Sequence, residues 1–518
     1  MQSDRRFRDI FISNRRGVAL AATLMLSVVV AALAGLAVAL VSGLYALGLA
    51  LGLIALALIL RDIEVGFAAL VGVITLLPFA AVPLNIGFKP TFLDLVALAL
   101  FGVWLLERAT GKLGRFINTP LTLPALVFLA LTLASFIAGL GNAPLTQTIA
   151  RHFVEIVLSI LLYFLITDSV RDAERLRRVT RYLIIGGILA ALSAIILYLL
   201  PDQTSLELLS RLKVFGYPEG PGVLRYVNDD PLQPQRATGT AIDPNTLGGL
   251  LIMTLTLAAP QLFARRPVIP RGWLAIGLGL MALALLFSFS RGSFVGAGVA
   301  IFMLGVVRYR KLLVIVILAL ALILILPQTQ SYVTRFFEGV QQQDLSTQMR
   351  LGEYTDALKL IQRYPLFGVG FTGSPDIDTY LSVASLYLTI AGEMGLIGLA
   401  AFLGVMLVLF VSAWRARPER SGGRPSTSAS AGSAFAQDAP TAESKEHPER
   451  NEVESKETVA RSDLEPIWWG LHAAMAGGLI GGVFDHYFFN LDFHHSVTLF
   501  WLYVGLAAVS TRLLRRAL

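Results

Sequence analysis

Apolar residues run along this chain in blocks, with none of the alternation or narrow striping of a soluble protein. Gly17 to Leu60 contains no Lys, Arg, Asp or Glu, enough for two membrane spans of about 20 residues each. Backbone groups in lipid must be satisfied internally, which leaves helices or a closed barrel. Runs of Leu, Ala, Val and Ile without period-2 alternation choose helices. The same reading predicts spans near 17–39, 41–60, 63–83, 91–107, 120–140, 151–167, 181–200, 241–263, 272–289, 292–307, 311–327, 388–413, 466–485 and 495–512. The fold class is therefore all-α, a polytopic membrane protein of about 12–14 transmembrane helices.

The polar punctuation orients these spans. Arg108/Lys112/Arg115, Arg171/Arg175/Arg177/Arg178/Arg181, Arg265/Arg266/Arg271, Arg308/Arg310/Lys311 and Arg512/Arg515/Arg516 all fall on one side when the N-terminus is cytoplasmic, as the positive-inside rule requires. The expected organisation is a basic cytoplasmic N-terminus (1–16), a helical membrane domain (17–413), a Ser-, Pro- and Glu-rich disordered cytoplasmic linker (414–465) and C-terminal membrane helices (466–518). Two long loops, about 201–240 and 328–383, fall on the extracytoplasmic face. Both termini are expected inside, in the inner (plasma) membrane.

Composition adds two exclusions. Of 518 residues 55% are hydrophobic and 15% charged, where a soluble chain carries about 25% charged residues. The net charge of +7 sits at helix ends, so it is a membrane-orienting signal and no nucleic-acid partner is implied. The chain has no cysteine, which excludes disulfides and thiolate metal sites.

Four extracytoplasmic segments hold the candidate chemistry, and each also has a plain structural reading. "RATGTAIDPNTLGG" places Arg236 ahead of Asp243-Pro244-Asn245, a helix start; the alternative is an anion-facing arginine at a helix N-terminus. "SFSRGS" holds Arg291 in a short connection, with the bend assigned to Gly292. That arginine is on the wrong side for orientation, so it either snorkels or serves as a fixed cation for a phosphorylated ligand. In "RLGEYTDALKLIQRYPLFGVGF", Leu351, Tyr354, Leu358 and Ile361 follow helical spacing. This predicts an amphipathic surface helix beginning at Arg350 and closed by Tyr364-Pro365. "GLIGGVFDHYFFNLDFHH" gathers Asp485, His486, Asp492, His494 and His495. Its histidines lack metal-ligand spacing, so no metal and no cofactor is expected.

In this order, the segments from Arg236 to about Phe410, including "FSRGS", "PLFGVG" and "LYLTIAGEMGLIG", resemble the bacterial O-antigen ligase and O-antigen polymerase family. The resemblance implies a GT-C-like, metal-independent membrane glycosyltransferase with a large extracytoplasmic loop. Its donor would be an undecaprenyl-diphosphate-linked glycan, and its acceptor another glycan or a lipid-linked sugar at the bilayer surface. Arg236, Arg291 and Arg350 are then the candidate diphosphate-binding residues. The family's usual His-Asn pair, nine residues upstream of the Glu of "E-x-G-L-I-G", corresponds here to Ala384-Ser385. His486 and Asp485, then Glu393 and Asp376, are the substitutes expected to supply the base. The alternatives are a catalytically inactive member or a transporter, since some relatives carry a bicarbonate-transport label. Transporters place ionisable groups near the membrane midplane, whereas Asp94 and Glu155, the main candidates here, lie near span ends.

Overall fold

A computed structural model of the chain describes residues 52, 54–82, 89–325, 330, 345–372, 383–417 and 447–516. The first two predicted spans fall largely outside this set, as do Asp376 and residues 418–446. Met1–Gly66 and Phe67–Leu518 form two compact units. The described part of the first is helical, and within it Asp62 Oδ1 accepts the Glu64 N–H at 2.9 Å. Everything below concerns the second unit.

Among its described residues that unit is mostly helical, with a two-stranded hairpin pairing Arg225 with Arg236 and Tyr226 with Gln235. Among the described residues six helices are long and apolar enough to cross a membrane: Thr122–Gly139, Gln147–Ser169, Ala173–Leu199, Pro244–Phe263, Leu386–Arg415 and Leu491–Arg516. Arg271–Phe287 and Arg291–Val307 are shorter apolar helices. The chain is thus a multi-pass membrane protein.

Burial sorts the spans. The apolar stretch of Leu491–Arg516 is 94% buried, against 28% for Thr122–Gly139. The last helix is therefore a central post, packed chiefly on Gln147–Ser169. Thr122–Gly139 turns Leu123 and Ile137 outward, each more than two-thirds exposed, as lipid allows without penalty. Leu386–Arg415 packs on Thr122–Gly139, and Arg291–Val307 and Pro244–Ala258 both pack on His447–Gly481. The latter begins inside the segment read as linker and carries Pro466 within it.

The predicted basic loops converge on one end of the bundle. Asp168, fully buried at the C-terminus of its helix, accepts from Arg108 Nε at 2.6 Å, Trp104 Nε1 at 2.8 Å and Arg171 at 2.9 Å. Arg512 donates to the carbonyls of Thr167 and Val170 at 2.7 and 2.6 Å. Arg177 and Arg181 reach the carbonyls of Arg266 and Val268, and Arg308 pairs with Glu465 at 2.6 Å. Loops widely separated in sequence therefore share one face, which is what the charge pattern required. Asp168 had no place in that pattern. It is the acidic counterpart that lets several guanidinium groups crowd together.

Two features of the other end depart from the expected geometry. The surface helix is Leu345–Arg363, starting more than a turn before Arg350. The bend in "SFSRGS" is made at Phe289, whose φ is +51°, and Gly292 lies inside the helix Arg291–Val307. Gly292 is required for close approach instead: a Cβ there would sit 2.8 Å from Cβ of Phe484.

Candidate functional site

The 201–240 segment is folded around the approach to Arg236. A helix, Asp202–Arg211, is followed by a small core of Leu209, Tyr217, Val223, Leu224 and Ile242. Asn228 and Asp229 take left-handed backbone at the tip of the hairpin, a conformation that Asn and Asp tolerate best. The returning strand ends at Arg236, and the Ala237 N–H then donates to the Phe287 carbonyl at 2.8 Å.

Arg236 ties two motifs together. Its Nε donates to the Ser288 carbonyl at 2.9 Å, and one terminal nitrogen donates to Asn245 Oδ1 at 2.8 Å. The helix start read from the sequence is present: Asp243 is the N-cap, its side chain accepts the Thr246 N–H at 2.7 Å, and Pro244 occupies the first turn. Burial pulls the Arg236 guanidinium down to about 10, with Asp243 and Asp485 opposing the drop and Arg350 adding to it. At neutral pH it stays a cation. Ile242 and Phe289, on either side of this arginine, both have positive φ, +59° and +51°. For a β-branched and a bulky aromatic residue each costs about 1–3 kcal/mol, and such strain concentrates where a site over-determines the backbone.

The surface helix Leu345–Arg363 supplies the next groups at helical spacing. Arg350 lies 3.7 Å from Asp485 Oδ2. One turn earlier, Thr347 Oγ1 is 3.4 Å from an Arg291 nitrogen. One turn later, Glu353 accepts the Ala384 N–H at 3.0 Å, and the Tyr354 hydroxyl donates to the Ala384 carbonyl at 3.0 Å. The sequence pattern had placed Tyr354 on the apolar stripe, but its hydroxyl is a clamp. Ala384 is thus held by both its peptide groups against this helix.

Asp485 sits in the turn after His447–Gly481, and its backbone carbonyl accepts the Leu386 N–H at 2.9 Å. The buried carboxylate accepts the His486 N–H at 2.9 Å, and the same oxygen is 3.4 Å from His486 Nδ1. Burial pushes the Asp485 carboxyl up from its ordinary range. His486 and Arg350 pull it back, and Asp243 adds to the rise. Asp485 therefore backs directly onto the connection Val383–Leu386.

The structure thus brings Arg236, Arg350, Asp485 and His486 into one electrostatic neighbourhood, with Arg291 joined to it through Thr347. Glu393 belongs elsewhere. It is two turns into the helix that starts at Leu386, and its Oε2 accepts the Phe371 N–H at 2.8 Å. Its own carbonyl and that of Gly392 take the N–H groups of Gly370 and Val369. These bonds pin the glycine-rich turn to the helix just before its break at Gly395 (φ +68°). Asn245, Glu353 and Tyr354 are contributors the sequence reading did not assign to the site. The signal available was their spacing, one residue after Pro244 and one turn after Arg350.

Arg236 and Asp485 stand at the opposite end of the helices from Arg266 and Arg512. The helix Pro244–Phe263 runs between the two ends, a rise of about 30 Å for 20 residues. At this end several guanidinium groups stand near the N-terminus of Pro244–Ala258, a setting whose field favours an anion.

No curated protein matches the chain. A family model does: residues 276–403 match the one described as O-antigen ligase. The match takes in Arg291, Arg350, Ala384 and Glu393 and stops short of Arg236 and of Asp485–His486. Over residues 276–403 this multi-pass membrane protein is similar to the O-antigen ligase family.

Proposed function

We propose that the chain is a glycosyltransferase that moves a glycan from an undecaprenyl-diphosphate carrier to a hydroxyl of another glycan or lipid-linked sugar. The reaction would take place on the extracytoplasmic face of the plasma membrane, with both termini inside. The observation that carries this reading is the gathering of Arg236 and Arg350 around the Asp485–His486 pair, beside the position where relatives place a histidine.

The acceptor oxygen attacks the anomeric carbon while the bond from that carbon to the phosphate oxygen breaks. The electron pair leaves with the lipid diphosphate. Arg236, Arg291 and Arg350 bind that diphosphate and stabilise the charge that develops on it. His486 takes the hydroxyl proton, and Asp485, 3.4 Å from its Nδ1, orients the ring and stabilises the imidazolium. Glu393 is a positioning residue in this scheme, holding the turn that follows the surface helix.

Release of free undecaprenyl diphosphate from a lipid-linked oligosaccharide, in the presence of an acceptor, tests the reading. Arg350→Ala is expected to lower turnover roughly 100-fold, the scale seen when one charge-stabilising donor is removed. Turnover unchanged in both Arg350→Ala and Arg291→Ala would remove the diphosphate assignment.

A further inference from the structure

A second cluster of ionisable groups lies apart from the site just described, where three helices begin or pass. Asp94 is in the first turn of Phe92–Ala109, Glu155 is in Gln147–Ser169, and His494 opens the last helix. One donor atom from each lies within 4.8 Å of the other two. All three line a cavity of about 20 Å³, together with Ser159 and Thr498, a volume that holds a single ion or water.

Two observations point to an occupant. Glu155 is 4% exposed, and its carboxylate oxygens take no N–H or hydroxyl donor among the described residues; the neighbouring polar side chain is the Asp94 carboxyl. Its ion-pair contacts are long: Arg151 Nε at 3.3 Å and His494 Nδ1 at 3.5 Å. The charge inventory is also unbalanced. Asp94, Glu155 and Asp492 face a single permanent cation, Arg151, with His152 and His494 as the remaining groups. Asp492 is exposed to solvent, so the buried part of the cluster sets Asp94 and Glu155 against Arg151, one acidic group in excess in a region of low dielectric.

We propose that Asp94, Glu155 and His494 bind one divalent transition-metal ion of the Mn2+ or Zn2+ class, which ties the three helices together. Such ions hold carboxylate oxygen and imidazole nitrogen at about 2.0–2.2 Å, so donors already this close need only small side-chain movements to close on one centre. Two carboxylates and one imidazole neutralise a divalent ion and suit metals between the hard and soft extremes. Thr91 Oγ1, 3.5 Å from His494 Nε2, occupies the place of the outer partner that commonly fixes a ligating imidazole through its second nitrogen. The ion is structural: His494 follows directly on the segment that carries Asp485 and His486, so the tie anchors the downstream end of that segment.

The full-length chain in detergent, stripped with EDTA and titrated with Mn2+, tests this by electron paramagnetic resonance. One Mn2+ per chain is expected, with imidazole nitrogen coupling in the bound spectrum. Glu155→Gln should weaken binding at least tenfold, and His494→Gln should abolish the nitrogen coupling. The coupling is read on the wild-type chain, so it stands even where a variant fails to fold. The proposal is overturned if the wild type retains no Mn2+, if bound Mn2+ shows no nitrogen coupling, or if folded Glu155→Gln binds as tightly as wild type. In those cases Arg151 and a proton shared by the carboxylates neutralise the cluster.

Discussion

At the scale of single residues the proposed chemistry depends on how the buried Asp485 carboxyl is balanced. Burial raises it above the ordinary value of 3.8, while His486 and Arg350 favour its ionised form. A raised carboxyl keeps its proton at pH values where an exposed one has lost it. Turnover that needs the Asp485 carboxylate behind His486 therefore rises with pH through this raised value. We expect Asp485→Asn to remove most of the activity and to alter the acid limb of the turnover–pH profile. An acid limb unchanged in that variant would assign it to another group. Arg236 was visible in the sequence as a cation before a helix start. Its true position, with one bond to Ser288 and one to Asn245, was not, because the Ser288 carbonyl is presented beside a turn made at Phe289. A phenylalanine with positive φ has no local sequence signal.

At the scale of elements the glycine-rich turn "PLFGVG" does more than end the surface helix. Gly370 (φ +77°) packs so tightly on Thr122–Gly139 that a Cβ would stand 2.2 Å from the Ser135 carbonyl oxygen, and one on Gly395 would stand 2.1 Å from the Leu366 carbonyl oxygen. Neither contact involves a flexible side chain that can swing away. Gly370→Ala should therefore cost roughly 3 kcal/mol or more, combining backbone strain with a backbone clash. The check is the apparent melting temperature in detergent, with Gly352→Ala as the control, since a Cβ there meets nothing within 4 Å. Equal melting of the two variants would show that the turn is not held as described. The turn itself could be read from Gly368 and Gly370 in the sequence. Its docking partner could not, because Ser135 and Gly139 lie more than 200 positions upstream and carry no distinguishing chemistry. The same holds for Glu393: an acidic residue in an apolar helix suggests catalysis, yet here its carboxylate takes the Phe371 N–H. The long spans were legible because a lipid-facing helix is apolar on every side. Helix starts were legible where a capping residue marks them, as Asp243 does.

At the scale of the whole molecule the claim is one of sidedness. The basic loops gather around Asp168 and the carbonyls of Thr167 and Val170, while Arg236, Arg350 and Asp485–His486 gather at the far ends of the helices. The native chain has no cysteine, so single cysteines report topology without a background. Leu232→Cys, at a residue 93% exposed, should react with a membrane-impermeant maleimide in intact cells. Lys112→Cys should react only after the membrane is opened. The reverse pattern would put the candidate site on the cytoplasmic face, where an extracytoplasmic glycan acceptor is absent. Charge counting made the grouping of loops legible from sequence alone, since each loop carries its own arginines. The residue that receives them, Asp168, was not legible, because its role exists only once the loops have met.

The central claim, glycan transfer with His486 in place of the missing histidine, is tested most directly by one assay. Purified wild-type protein and His486→Ala are each given undecaprenyl-diphosphate oligosaccharide and an acceptor glycan, and free undecaprenyl diphosphate is measured over time. The account predicts release by the wild type, coupled to elongation or modification of the acceptor, and a loss of roughly 100-fold or more in His486→Ala, the scale of general-base catalysis. No release by the wild type with any acceptor, or equal release by the variant, would contradict it.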